Sequence, residues 1–255
     1  IISLRRKRYY NMEVLKFTLK GKTAFFKMPE VNTYYYFTYG NIHKVVLLGI
    51  FGAILGYGGY SQWKKNDKHP YPEFYRKLAD IGVAIVPKEN TKGYINKKIQ
   101  VFNNSVGYAS TEKGGNLVIK QQWLENPEWD IYVKIDRDEA QKIKESILSR
   151  KSVYIPYLGS NDHPAEILYP KILECCLVKC NEIQQMDSLF PEKYFEIDYE
   201  DCDVITPFKY SEYLPIGLNE DTQMYLMEKL IFTNFPIISH EIEVYDVDGK
   251  KISFI

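Results

Sequence analysis

The sequence lacks a run long enough to cross a membrane, a cysteine pair at metal-ligand spacing, and any excess of charge. Its most apolar stretch, VVLLGIFGAILGYGG from Val45 to Gly59, falls short of the ~20 residues that span a bilayer, so it reads as a buried helix rather than an anchor. Only four cysteines occur, Cys175, Cys176, Cys180 and Cys202, and none stands in the paired C-x-x-C arrangement that surrounds zinc. No secretory signal precedes them, so they read as reduced thiols of a cytoplasmic protein, and neither a metal nor a cofactor is expected. Long low-complexity tracts and repeats of roughly 20 to 50 residues are also missing. With 45% hydrophobic and 26% charged residues, the composition is that of an ordinary globular domain, which excludes extensive disorder.

A chain of 255 residues buries roughly 70 to 75% of its unfolded surface, enough for one large domain or a domain with a smaller appendage. Formal net charge is zero, which taken alone argues against a nucleic-acid partner. The distribution reverses that impression. Residues 187 to 255 carry 5 basic and 15 acidic groups, so residues 1 to 186 hold a net +10. Such asymmetry points to a basic working face and an acidic region turned elsewhere.

Residues 1 to 11, IISLRRKRYYN, precede Met12 and read as a non-native leader, with Met12 as the natural start. From Val14 to Lys20 apolar and polar residues alternate, as in a half-buried strand. The run from Val45 follows Asn41, a good helix N-cap, and closes at Gly56, Gly58 and Gly59. A second helical piece starts at Pro72 and ends by Gly82, and Val83 to Val86 is a short strand. Leu117 to Trp123 and Trp129 to Ile135 flank Asn126-Pro127 and read as a hairpin. Asp136 with Glu139 resembles a capping box for a helix carrying Ala140, Ile143 and Ile147. A strand from Val153 to Leu158 completes the series.

Strand, helix, strands, helix, strand is the order of the α+β, ferredoxin-like β-α-β-β-α-β core, shared with the RNA-recognition module. The expected core is 12–164. It contains an inserted polar, basic thumb at about 88–116 that carries Lys88, Lys92, Lys97, Lys98 and Lys113, with a turn at Gly114-Gly115. Residues 165–255 read as a smaller β-rich subdomain, in which Asp248-Gly249 is a strong hairpin signal.

The most specific motif is GKTAFFKMPEVNTYYYFTYGNIHKVVLLGIFGAILG, Gly21 to Gly56. It resembles the opening of the CRISPR-associated Cas-five family, where a Gly-x-x-Ala-x-Phe turn leads to a G-x-x-G-x-x-x-G helix, here Gly49, Gly52 and Gly56. A second match, Tyr154-Ile-Pro-Tyr-Leu-Gly159 continuing through Ser160, Pro164 and Ala165, is similar to that family's proline-tyrosine-leucine-glycine loop. The resemblance implies a non-catalytic subunit of a type I Cascade ribonucleoprotein, closest to type I-B. Such a subunit caps the 5-prime handle of the CRISPR RNA in antiviral defence. The implied partners are the CRISPR RNA, Cas-seven backbone subunits, a Cas-eight large subunit, a Cas-six endonuclease and, through the complex, target DNA.

Phosphates call for Lys or Arg, and splayed bases for aromatic faces worth ~1 to 3 kcal/mol each. Tyr34, Tyr35, Tyr36 and Tyr39 lie just before the apolar helix, Tyr57 and Tyr60 just after it, with Lys64 and Lys65 behind; the amides of Gly58 and Gly59 are candidates for a phosphate. The residues assigned to RNA are Lys22, Lys27, Tyr36, Tyr39, His43, Lys44, Gly56, Gly58, Gly59, Tyr60, Gln62, Lys64, Lys97, Lys98, Asn103, Asn104, Lys113, Gly159 and Ser160. One branch of the family, in type I-C systems, processes its own guide with a Tyr, Lys and His set. Here the histidines are His43, His69, His163 and His240. Neither His43-Lys44 nor Lys68-His69 lies in the strand region where that branch carries its catalytic pair, so no catalytic residue is assigned. The alternative reading is a metal-independent endoribonuclease acting on precursor CRISPR RNA through His43 or His69; a third is a protein-assembly module without RNA.

Overall fold

The computed structural model describes residues 12–30, 34–64, 68–103, 105, 107–108, 111–179, 183–200 and 203–255. The expected leader at 1–11, Lys65, Asn104, Cys180 and Cys202 lie outside the described residues. Among the described residues no helix is long and apolar enough to cross a membrane.

The alternation after Met12 forms β1 (Met12–Lys20), whose Leu15, Phe17 and Leu19 are fully buried on one face. β1 lies inside a six-stranded sheet with β4 (Val83–Pro87), β7 (Glu128–Lys134), β8 (Glu166–Leu177), β14 (Tyr245–Val247) and β15 (Lys250–Ile252). The order is β15-β14-β8-β1-β7-β4, and every pairing is antiparallel. Along the chain the elements from β1 to β8 that build this sheet and its helices follow a strand-helix-strand-strand-helix-strand course. The first strand sits between the last and the third, with the second outside. The protein is therefore mixed α+β and rich in strands.

Two helices cover one face of this sheet. In α1 (Lys44–Leu55) the buried positions run nearly all round, from Val45 through Leu47, Leu48, Ile50, Phe51 and Ile54. A helix apolar on all sides must be covered on all sides. It is held between Phe17 of β1, whose ring meets Phe51 edge-on at 6.3 Å, and the C-terminal strand β11 (Lys209–Leu218). Gly52 has a reason to be glycine, because a Cβ there would stand 2.6 Å from the Cβ of Phe74 on α2 (Glu73–Leu78). α3 (Asp138–Leu148) buries Ala140, Ile143 and Ile147 at helical spacing, as the sequence predicts.

Several local expectations fail for physical reasons. Asn41 does not cap α1; His43 is the N-cap residue, with no side-chain cap bond, and Asn41 is committed elsewhere. Asp136 and Glu139 form no capping box: Arg137 precedes α3, and Glu139 accepts from the Tyr57 hydroxyl at 2.5 Å. The expected hairpin across Asn126-Pro127 does not form. Its backbone bonds to the turn that follows β1 instead, with Asn126 N–H donating to Lys22 O and Gly21 N–H to Pro127 O, so the chain passes from one sheet to another there. Val153 to Leu158 is not a strand, and the last strand beside β1 is β8. The main sheet thus draws on both sides of position 165.

The hairpin signal at Asp248-Gly249 does hold: both residues have positive φ, 56° and 80°, and join β14 to β15. The remaining C-terminal residues form a sheet of β9 (Phe190–Pro191), β11 and β12 (Tyr225–Thr233), and a pair of β10 (Phe195–Ile197) with β13 (Ile237–His240). Some of their negative charge is neutralised internally. Glu192 binds both Lys209 and Lys229 at 2.7 and 2.6 Å.

Candidate nucleic-acid interface

Strands from before α1 and from between α2 and α3 build a second, smaller sheet. β6 (Val118–Glu125) is flanked on one side by β5 (Lys97–Asn103) and on the other by β2 (Thr23–Ala24) and β3 (Tyr35–Tyr36). The segment expected to be a polar, basic thumb is partly one strand of a regular hairpin, with Lys97 to Asn103 opposite Leu124 to Val118. Its base is not part of the arm, for Lys88 reaches back to Asp130 at 3.0 Å and Glu128 at 3.2 Å. Burial alone would raise the Asp130 carboxyl, but Thr18, Lys88 and Lys16 together hold it below the usual range.

Residues directly opposite in an antiparallel ladder share a face. One face carries Lys97, Ile99, Val101 and Asn103 against Val118, Lys120 and Gln122, with Tyr35 opposite Lys120. Ile99, Val101, Val118 and Lys120 are all exposed. The other face carries Lys98 opposite Trp123 and Tyr36 opposite Gln121. There the Lys98 ammonium lies 5.7 Å from the Trp123 ring centroid, and Lys27 lies 4.2 Å over Tyr36. Tyr34, next to β3, is 80% exposed, and Tyr35 meets Phe37 at 4.7 Å. The exposed rings of Tyr34 and Phe37 beside β3, with the exposed ammonium groups of Lys27, Lys97 and Lys120, match what single-stranded nucleic acid needs, π-faces for bases and point charges for phosphates.

The structure divides the sequence-assigned residues into groups. Tyr36, Lys97, Lys98 and Asn103 belong to this sheet, Lys27 stands over Tyr36 from an isolated bridge with Thr38, Lys22 is exposed at the sheet's edge, and Lys113 is exposed in the loop between β5 and β6. Gly56, Gly58, Gly59, Tyr60, Gln62 and Lys64 lie beyond the far end of α1, which spans about 18 Å for its twelve residues. Of these, Gly56 is the left-handed C-cap (φ 78°), Tyr60 and Lys64 are exposed, and the Gly58 and Gly59 amides are not free. They donate to Glu73 and to Gln62, each at 2.9 Å.

Tyr39 and His43 are buried, and neither ring reaches the surface. Tyr39 points its hydroxyl toward Met227, and His43 sits among Phe26, Tyr39 and Tyr225. Burial pushes the His43 imidazole down to about 3. Lys44 lines a different cleft, with Asp80, Arg137, Glu228 and Glu243, and burial lowers its ammonium. Gly159 serves the backbone rather than a ligand, since its φ is 97° and a Cβ would stand 1.8 Å from the carbonyl oxygen of Phe25. Ser160 accepts the amide of His163 through its backbone carbonyl. That loop packs under the second sheet, where His163 meets Trp123 edge-on at 4.6 Å and shares a hydrogen bond with Thr23.

Lys120 and Trp123 are not among the residues that sequence alone singles out. Their positions follow only from the β5–β6 register, which the polar look of Lys88 to Asn116 conceals.

No protein-family model matches the sequence, and no curated protein does. Among solved structures, a chain of a CRISPR RNA-guided surveillance complex aligns over 89% of this chain and 91% of its own length, at 11% identity and a TM-score of 0.50. A CRISPR protein from Archaeoglobus fulgidus aligns over 94% and 98%, at 11% identity and 0.47. A chain of a type III-B Cmr-beta complex bound to cognate target RNA and AMPPnP aligns over 88% and 85%, at 14% identity and 0.46. The first likeness shows that this chain has a fold found in a CRISPR surveillance complex.

Proposed function

We propose that this chain is a guide-RNA-binding, non-catalytic subunit of a CRISPR effector complex, resembling the Cas-five family of type I systems, and that it holds RNA on the β2-β3-β5-β6 sheet. The observation that carries this is the exposed Lys97 and Lys120 among the exposed aliphatics Ile99, Val101 and Val118 on one face of that sheet, with the exposed Lys27 and the exposed ring of Tyr34 beside it. The ferredoxin-like reading of the core draws support from the strand order, with β1 between β8 and β7 and β4 outside. Capping of the 5-prime handle, a type I-B setting and contact with Cas-seven, Cas-eight and Cas-six subunits are what the Gly21 to Gly56 and Tyr154 to Ala165 resemblances add. Of the two histidines invoked for a cutting activity, His43 is buried among aromatic rings, which favours the non-catalytic reading.

The test is incubation of the purified chain with labelled CRISPR repeat RNA over a salt series, scoring mobility shift and cleavage in one gel. Salt-sensitive binding without cleavage is expected. Site-specific cleavage would sink the non-catalytic reading.

A further inference from the structure

We propose that the groove between the C-terminal end of α3 and the first half of β8 is a docking site for another protein. It would take a segment whose apolar anchors are flanked by acidic residues. The surface lies apart from the second sheet and uses none of its residues.

The groove encloses about 320 Å³, and its apolar lining comes from Ile54, Ile147, Pro156, Ile167 and Leu168. One rim is the loop after α3. Its backbone is pinned, because the amides of Val153 and Tyr154 donate to Ile54 O and Ala53 O at 3.0 and 3.1 Å and so occupy carbonyls that end α1. Ile155, 81% exposed, is thereby displayed on a fixed scaffold with Val153 and Tyr154 exposed beside it. A contiguous apolar display of this kind on a rigid loop marks a recognition surface.

The other rim is Tyr169, 79% exposed. It sits in a bulge of β8, where the pairing with β1 slips by one residue between Lys16 and Thr18, and its φ is 53°. A bulky residue rarely holds that conformation, and where it does the strain is characteristic of a functional position. Glycine would fit the backbone better, so the ring is held here at a cost in backbone strain.

Charge selects the occupant. The ionic groups lining the groove are Arg150 and Lys151, with no carboxylate among the lining residues, so the flanks of the bound segment are acidic. An aliphatic floor and only two cations suit a protein rather than RNA, which needs a row of charges beside its stacking faces. Among the described strands β14 covers β8 only at Cys175 to Leu177, leaving Glu166 to Glu174 paired on one side. Strand addition there is opposed by Pro170, which has no N–H, and by the bulge. The partner is therefore held by side chains in the groove.

The experiment pans phage-displayed random twelve-residue peptides on the full chain, with the Ile155→Asp/Tyr169→Asp chain as the subtractive target. Both substitutions are at exposed positions, and an unchanged melting temperature verifies folding. The result expected is a peptide set rich in Leu, Ile or Phe with Asp or Glu at the flanks, whose binding falls at least tenfold with Arg150→Glu/Lys151→Glu. Tyr169→Gly should lower that binding while leaving the melting temperature the same or higher. Failure to recover peptides that distinguish the two chains would overturn the proposal. So would a set without acidic residues, or displacement of the peptides by oligoribonucleotide. None of these outcomes depends on whether the second sheet binds RNA, which is measured separately on the same variants.

Discussion

The side-chain oxygen of Asn41 accepts the indole N–H of Trp129 at 2.8 Å, and its amide donates to the carbonyl of Gly93 at 2.9 Å. Trp129 lies on β7 in the main sheet, Asn41 leads into α1, and Gly93 leads toward β5. One buried amide therefore ties the main sheet to the start of α1 and to the root of the β5–β6 hairpin. Asn41→Ala would leave a buried N–H and a buried C=O without partners, a loss of about 2 to 4 kcal/mol. Urea unfolding should show a lower midpoint with an unchanged slope.

The loop that packs against the second sheet depends on Gly159. Gly159→Ala forces a Cβ against Phe25 in a backbone conformation that alanine resists. It should destabilise the chain by about 3 kcal/mol or more. A melting temperature within 2 °C or so of wild type would contradict the geometry.

Acid should weaken the fold in two windows. His43 is neutral in the folded chain down to about 3, whereas an exposed imidazole takes its proton near 6.5. The unfolded state then binds the extra proton, and stability drops as pH falls from 6.5 toward 3, at a slope of up to ~1 kcal/mol per pH unit. Burial alone would raise Glu192, but Lys209 and Lys229 hold it down to about 2, so its contribution is lost between 4.5 and 2. Chemical denaturation across pH should give a flatter profile above pH 4.5 for His43→Phe, while Glu192→Gln alters only the lower window.

Much of the fold is legible in the sequence, and the misses share a cause. Period-2 alternation marks β1 and β7, continuous apolar runs mark β4 and α1, and 3.6-residue spacing marks α3, because those patterns record burial on one side or all round. Pairing partners leave a weaker trace. Leu117 to Trp123 has strand character, but its partner is the upstream Lys97 to Asn103, whose alternating lysines and aliphatics look like a solvated arm. Val153 to Leu158 has strand composition, yet Val153, Tyr154 and Ile155 face outward, and its one bridge is Tyr157 to Pro164 within its own loop. At the candidate site, lysine and tyrosine enrichment is visible. That Tyr39 and His43 turn inward while Lys120 turns outward depends on tertiary packing that spacing does not carry.

Stacking predicts its own signature. Tyr34→Ala should weaken RNA binding by about 1 to 3 kcal/mol with the salt dependence unchanged, since a ring and no charge is removed. Tyr39→Phe, altering a buried hydroxyl, should leave RNA affinity at the wild-type value in a filter-binding titration.

The most direct measurement is the salt dependence of repeat-RNA affinity for the wild-type chain and for a variant with Lys27, Lys97, Lys98 and Lys120 all changed to Ala. Each phosphate contact to a single strand contributes a slope of about 0.7 in log K against log salt. RNA held on the second sheet predicts a slope shallower by roughly 2 to 3 in the variant, with its melting temperature preserved. Equal slopes for the two proteins would contradict RNA binding there.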